Sequence, residues 1–176
     1  MSQAQEAIVA RILVIDYSRS GNTHKVAQAI AGACGADLEQ IRDAKPRRGL
    51  WGWIRSGREA IRAIPGEIRS PRSDPADYDL VVLGSPVWAS HVSSPMRAYL
   101  GERSGALTRI ALFVTEGGSG GPKVLAEMSA LAGRQPVATL EVRAKELGGD
   151  LRSTIKSFVA HVLEAAARAP AGSSTS

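Results

Sequence analysis

The chain alternates between short apolar runs and stretches with helical spacing. Ile12-Leu13-Val14-Ile15 is a continuous apolar run rich in β-branched side chains, and it predicts a buried strand from about Ile12 to Tyr17. Val26, Ala27, Ile30 and Ala31 then recur at helical spacing, so a helix follows from about Asn22 to Ala33. Its stripe of small residues suits close packing on a sheet, and Gly35 ends it. Leu38 to Arg42 alternates as an edge strand with one wet face does. Tyr78-Asp79-Leu80-Val81-Val82-Leu83-Gly84 has the uninterrupted hydrophobicity of a central strand buried on both faces. It runs into a loop, Ser85 to His91, before Pro95 opens a helix carrying Met96, Tyr99 and Leu100.

A further strand is predicted over Arg109 to Thr115, and a glycine-rich loop, Glu116 to Gly121, leads from it into a helix with Val124, Leu125, Met128 and Leu131 on one side. The last strand falls within Pro136 to Val142. The closing helix runs from about Asp150 to Ala167, with Leu151, Ile155, Phe158, Val159, Val162 and Leu163 as its stripe. Strands alternating with helices predict an α/β fold with a parallel sheet. In such a sheet ligands bind outside the carboxyl ends of the strands, where the strand order reverses. The loops at Tyr17 to Thr23, Ser85 to His91 and Glu116 to Gly121 all follow strands, so they converge on one crevice.

The first of these loops has chemistry of its own. Hydroxyls at Ser18, Ser20 and Thr23, the side chain of Asn22, a glycine at Gly21 and the unpaired amides of a new helix can meet on one phosphate. The alternative is that Ser20 or Asn22 only caps the helix. Capping needs one such residue, and this loop has several.

Between Ala44 and Asp77 the rhythm breaks. Pro46, Pro65, Pro71 and Pro75 punctuate a segment that gathers Arg42, Lys45, Arg47, Arg48, Arg55, Arg58, Arg62, Arg69 and Arg72. Residues 50–64 fit an amphipathic helix with Trp51 and Trp53, in spite of Gly52 and Gly57. Its basic face suits plain solvation, an anionic partner, the phosphate of a pyridine nucleotide or a membrane surface. This segment accounts for much of the net charge of +5. With 176 residues, 44% of them hydrophobic, the chain is expected to form a single domain over residues 1–168, with 44–77 as an insertion and 169–176 as a disordered tail. No apolar run reaches the roughly 20 residues that cross a bilayer, and the start lacks the basic residues of a signal peptide, so a soluble, cytoplasmic protein is expected. Cys34, the single cysteine, reads as a small half-buried residue, since no base or metal-ligand pattern surrounds it.

Taken together the loops resemble those of the flavodoxin-like FMN-binding proteins. Ser18-Arg19-Ser20-Gly21-Asn22-Thr23 is similar to the family's phosphate loop, Gly84-Ser85-Pro86-Val87-Trp88 to its first isoalloxazine loop, and Thr115 to Gly121 to its second. The resemblance covers about Arg11 to Leu163. It implies a doubly wound five-stranded parallel sheet of order 2-1-3-4-5 with helices on both faces, and FMN as cofactor. It also implies binding residues Ser18, Arg19, Ser20, Gly21, Asn22, Thr23, Ser85, Pro86, Val87, Trp88, Ala89, Thr115, Glu116, Gly117, Gly118 and Gly121, with Trp88 against the ring, no catalytic side chain and no metal. His91 reads as a surface or capping histidine or as a proton carrier.

Two departures stand out. Electron-carrier flavodoxins commonly cover the outer flavin face with an aromatic from the third loop, and Glu116 to Gly121 has none, which leaves that face open or covered by Trp51 or Trp53. Those carriers are also usually acidic, whereas this chain is basic and needs different partners. Three functions follow: an electron carrier with a redox partner protein, an NAD(P)H-dependent quinone or FMN reductase, or a cofactor-free basic module that contacts nucleic acid or membrane. For the first two, no nucleic acid is expected as partner.

Overall fold

The computed structural model describes residues 10–44, 62 and 65–168. The elements in order are β1 (Ile12–Asp16), α1 (Asn22–Cys34), β2 (Asp37–Gln40), β3 (Leu80–Trp88), β4 (His91–Val92), α2 (Ser94–Arg103), β5 (Ile110–Glu116), α3 (Gly121–Ala132), β6 (Thr139–Arg143) and α4 (Leu151–Ala167). The sheet order is β2-β1-β3-β5-β6, and every pair along it is parallel. This is the doubly wound order expected, with β5 and β6 as fourth and fifth parallel strands. The short β4 is an addition, antiparallel to β3.

Strand alternation sorts the core into two layers. Ile12 and Val14 of β1, with Phe113 of β5, pack under α1 and α4; Leu13 and Ile15 face α2 and α3. The predicted stripe of α1 is buried throughout, and Gly35 closes the helix in the left-handed region at φ 61°. In α4 the stripe holds except at Leu163, which is 41% exposed: Phe158, Val159 and Val162 already fill the contact with the sheet. Cys34 ends α1 half-buried against the core, and burial pushes its thiol up.

The second loop is the main departure. Ser85 to Trp88 are not loop but the continuation of β3, because Ser85 and Pro86 still pair with Val114 and Thr115 of β5. Beyond them Val87 and Trp88 pair with Val92 and His91. Ala89 (φ 49°) and Ser90 (φ 60°) make the two-residue turn of this hairpin, both left-handed as the twist of paired strands favours.

Residues after β2 run beside the returning end of the insertion. Ala44 N donates to Glu67 O at 2.9 Å and Arg69 N to Arg42 O at 2.9 Å. The amphipathic helix expected over 50–64, Trp51, Trp53, Arg47, Arg48, Arg55, Arg58 and the tail lie outside the described residues, while Arg62 is exposed. No helix among the described residues is long and apolar enough to cross a membrane.

Candidate functional site

β2 lies on one side of β1 and β3 on the other, so the chain reverses its direction of travel across the sheet at β1. The crevice outside the ends of these strands is where the three loops meet, and they meet pairwise. Thr23 Oγ1 and Thr115 Oγ1 are 2.7 Å apart, joining the first loop to the third. Tyr17 and Trp88 stand edge to face with ring centroids 5.4 Å apart, joining the first to the second. A Cβ on Gly120 would lie 3.1 Å from Ser90 Cα, so the second loop touches the third as well.

The first loop is shaped to present amides. Ser18 Oγ accepts the Gly21 amide at 3.0 Å, and Gly21 takes φ 92°, a conformation that costs a side-chain-bearing residue about 1 kcal/mol. The first bond of α1 runs from Lys25 N to Gly21 O, which leaves the amides of Asn22, Thr23 and His24 at the open helix end. No side chain among the described residues caps them. Ser20, Arg19 and Asn22 are exposed around that end, and Ser18 keeps its own proton to donate. Thr23 differs from expectation. Its hydroxyl is buried on Thr115 and pins the helix start to β5 rather than joining the other hydroxyls.

In the second loop Ser85 is fully buried, and its hydroxyl pairs with Ser93 Oγ at 3.0 Å, tying the two sides of the hairpin. Pro86, Val87 and Trp88 are half-buried and Ala89 is exposed at the tip. Tyr17 OH donates to Asp43 Oδ2 at 2.8 Å, so the aromatic pair is anchored to the strand beside the insertion. Glu127 of α3 holds the hairpin from below: it accepts the Val92 amide at 2.9 Å, pairs with Arg97, and lies 3.6 Å from His91 Nδ1. Burial pushes the Glu127 carboxyl up, but the Val92 amide and the Arg97 guanidinium bring it below the usual range. His91 therefore lies beside the Glu127–Arg97 ion pair.

Glu116 ends β5, and the open part of the third loop begins at Gly117. Its carboxylate is buried and accepts the Gly121 amide at 2.9 Å, with Arg143 Nε 3.7 Å away. The side chain closes the loop on itself, and Gly121 packs against Glu141, whose Cγ would lie 2.8 Å from an added Cβ. Gly117 and Gly118 are exposed, with nothing within 4 Å of an added Cβ, so their backbone is open to close approach. Gly84, read as part of the binding motif, is required elsewhere: its face is covered by the Phe113 ring.

Sequence reasoning missed one feature, the Asp16 and His24 pair. Asp16 is fully buried at the end of β1 and meets His24 Nδ1 at 2.9 Å, while its Oδ2 has no hydrogen-bond partner among the described residues. The visible signal was a carboxylate closing an otherwise apolar strand. Burial raises its pKa from 3.8 to about 6, against the opposing hydrogen bond and charge of His24. Since the folded value lies above the unfolded one, this carboxyl stabilises the fold fully below 3.8, and that contribution is lost as the pH rises through about 6. An Asp16→Asn variant removes the dependence. Its stability relative to the parent is expected to rise by about 2 kcal/mol between pH 4 and 7, measured by chemical denaturation at both values.

Residues 11–142 match the flavodoxin family. The chain belongs to the flavodoxin family. Among solved structures this flavodoxin-family chain is similar to a flavoprotein from Lactobacillus acidophilus NCFM in complex with FMN, with 21% identity, 79% of this chain and 97% of that one covered, and a TM-score of 0.66. It also resembles Megasphaera elsdenii flavodoxin in its two-electron reduced form (20% identity, 90% and 99% covered, TM-score 0.54). A flavodoxin, WrbA-like protein from Agrobacterium tumefaciens shares 17% identity over 89% of this chain and 97% of its own, with a TM-score of 0.56. At these identities the likeness is one of fold. No curated protein matches.

Proposed function

We propose that this flavodoxin-family chain binds FMN in the loop crevice and works as a redox protein through it. The observation that carries this reading is the pairwise contact of the three loops around an uncapped helix end. The amides of Asn22 to His24, with Ser18, Ser20 and Asn22, suit a dianionic phosphate, and the exposed Arg19 can add charge. Trp88 offers an aromatic wall. The open backbone at Gly117 and Gly118, with Pro86 to Ala89 opposite, suits the polar edge of a flat ring. FMN supplies the transfer of one or two electrons; the protein supplies binding, orientation and electrostatics.

Transfer to and from a partner protein is the leading role. The excess of Lys and Arg, 22 against 17 Asp and Glu, suits an acidic partner. A specific observation favours the second reading, an NAD(P)H-dependent quinone or FMN reductase: the third loop is exposed from Gly117 to Ser119 and has no aromatic side chain to cover a bound ring. Stopped-flow absorbance separates the two. A carrier is expected to keep its flavin absorbance for minutes with NADPH or NADH alone and to bleach only when a reductase is added. Bleaching within seconds by either nucleotide alone overturns the carrier and establishes the reductase.

A further inference from the structure

A second cavity, of about 460 Å³, opens at the sheet edge between β2, the segment Arg69 to Ser73, and α2. Ile15 and Tyr99 line it from the core, Glu39 from β2, and Arg42, Arg69 and Arg72 from the rim. It shares no lining residue with the three loops. We propose that this cavity is an oxyanion site that binds a phosphate group carried on a small organic molecule, with Tyr99 as buried donor and the three arginines as counter-charge.

Tyr99 is fully buried, and its hydroxyl has no hydrogen-bond partner among the described residues. A buried hydroxyl without a partner is unfavourable, and such groups are rare in folded proteins. Burial, and then the charge of Glu39, push its pKa up, so it remains a phenol and a donor. Among the described residues Glu39 makes no ion pair with the three arginines. Its two carboxylate oxygens accept the backbone amides of Arg72 at 2.6 Å and Ser73 at 2.9 Å, which fixes the turn. Arg69 N donates to Arg42 O at 2.9 Å, so these two residues are neighbours across a short antiparallel contact. Like charges in adjacent strands repel. Among the described residues none of the three arginines has an ion-pair partner, so a bound anion would relieve their repulsion.

A tetrahedral dianion would meet both needs, accepting from the phenol and from the exposed arginines at the cavity. The cavity lies within the range of about 300–1,000 Å³ typical of sites for small organic ligands, so a phosphate monoester fits better than phosphate alone.

The test is calorimetric titration of the FMN-saturated protein, with the loop crevice filled, using inorganic phosphate, AMP and adenosine in turn. AMP is expected to bind more tightly than phosphate, and adenosine not at all. Equal binding of phosphate and AMP assigns the site to the free ion. Tyr99→Phe is expected to weaken phosphate and AMP about tenfold, and Arg42→Gln with Arg69→Gln by more, with affinity falling as salt rises. Without ligand Tyr99→Phe should leave the thermal midpoint unchanged or higher, because it removes an unsatisfied hydroxyl. Failure of both phosphate and AMP to bind overturns the proposal. So does binding of adenosine as tight as that of AMP, or binding indifferent to Tyr99 and the arginines. A loss of midpoint in Tyr99→Phe also overturns it. None of these outcomes bears on FMN in the crevice.

Discussion

Gly84→Ala is expected to lower the thermal midpoint by about 6–12 °C, corresponding to about 3 kcal/mol of overpacking in a chain of this size. Gly84 and Phe113 are register partners in the two central strands, β3 and β5. A methyl group on Gly84 would overlap two carbons of the Phe113 ring and lie 2.7 Å from a third. Phe113 is fully buried, with neighbours from both strands and from α1 and α4, so the ring has no room to retreat. Combining Gly84→Ala with Phe113→Leu should restore part of the loss, and the double variant should be more stable than the sum of the single changes. Strict additivity in denaturant melts would show that the clash is not the cause. The contact matters to the site because it sets the spacing of β3 and β5 immediately before the hairpin of Trp88 and the third loop.

Asn22→Asp is expected to weaken FMN binding at least about a hundredfold while leaving riboflavin, which lacks the phosphate, nearly unaffected. Two unit charges about 4 Å apart interact by about 4 kcal/mol at an effective dielectric of 20, and a phosphate monoester carries nearly two charges. In the cofactor-free protein the same change should be mildly stabilising, by about 0.3–1 kcal/mol, since a carboxylate at the N-terminus of α1 favours the helix dipole. The opposite signs distinguish repulsion of the phosphate from damage to the fold. An FMN affinity changed by less than about threefold would place the phosphate elsewhere.

The parallel sheet, α1 and the place of the loops were legible because they rest on local signals. The Ile12 to Ile15 run, the small-residue stripe behind it and the glycine closing α1 each point the same way. The hairpin was not legible. Gly84 and Pro86 read as strand breakers, and the turn at Ala89 and Ser90 lacks the asparagine or glycine that marks a left-handed turn, so only pairing with β5 and β4 reveals the strand. Side-chain partners were also hidden, since they depend on contacts distant in sequence. Thr23 and Thr115 are 92 residues apart, and their hydroxyl contact links the first loop to the third. Glu116 and Ser85, expected at the cofactor, direct their side chains to Gly121 and Ser93.

Titration of FMN fluorescence with the purified protein tests the crevice most directly. One-to-one quenching is expected, with a Kd of about 1 µM or tighter and a structured flavin absorbance in the complex. FMN that stays fully fluorescent with protein in excess at about 10 µM, some tenfold above that Kd, would contradict the reading of the three loops as a cofactor site.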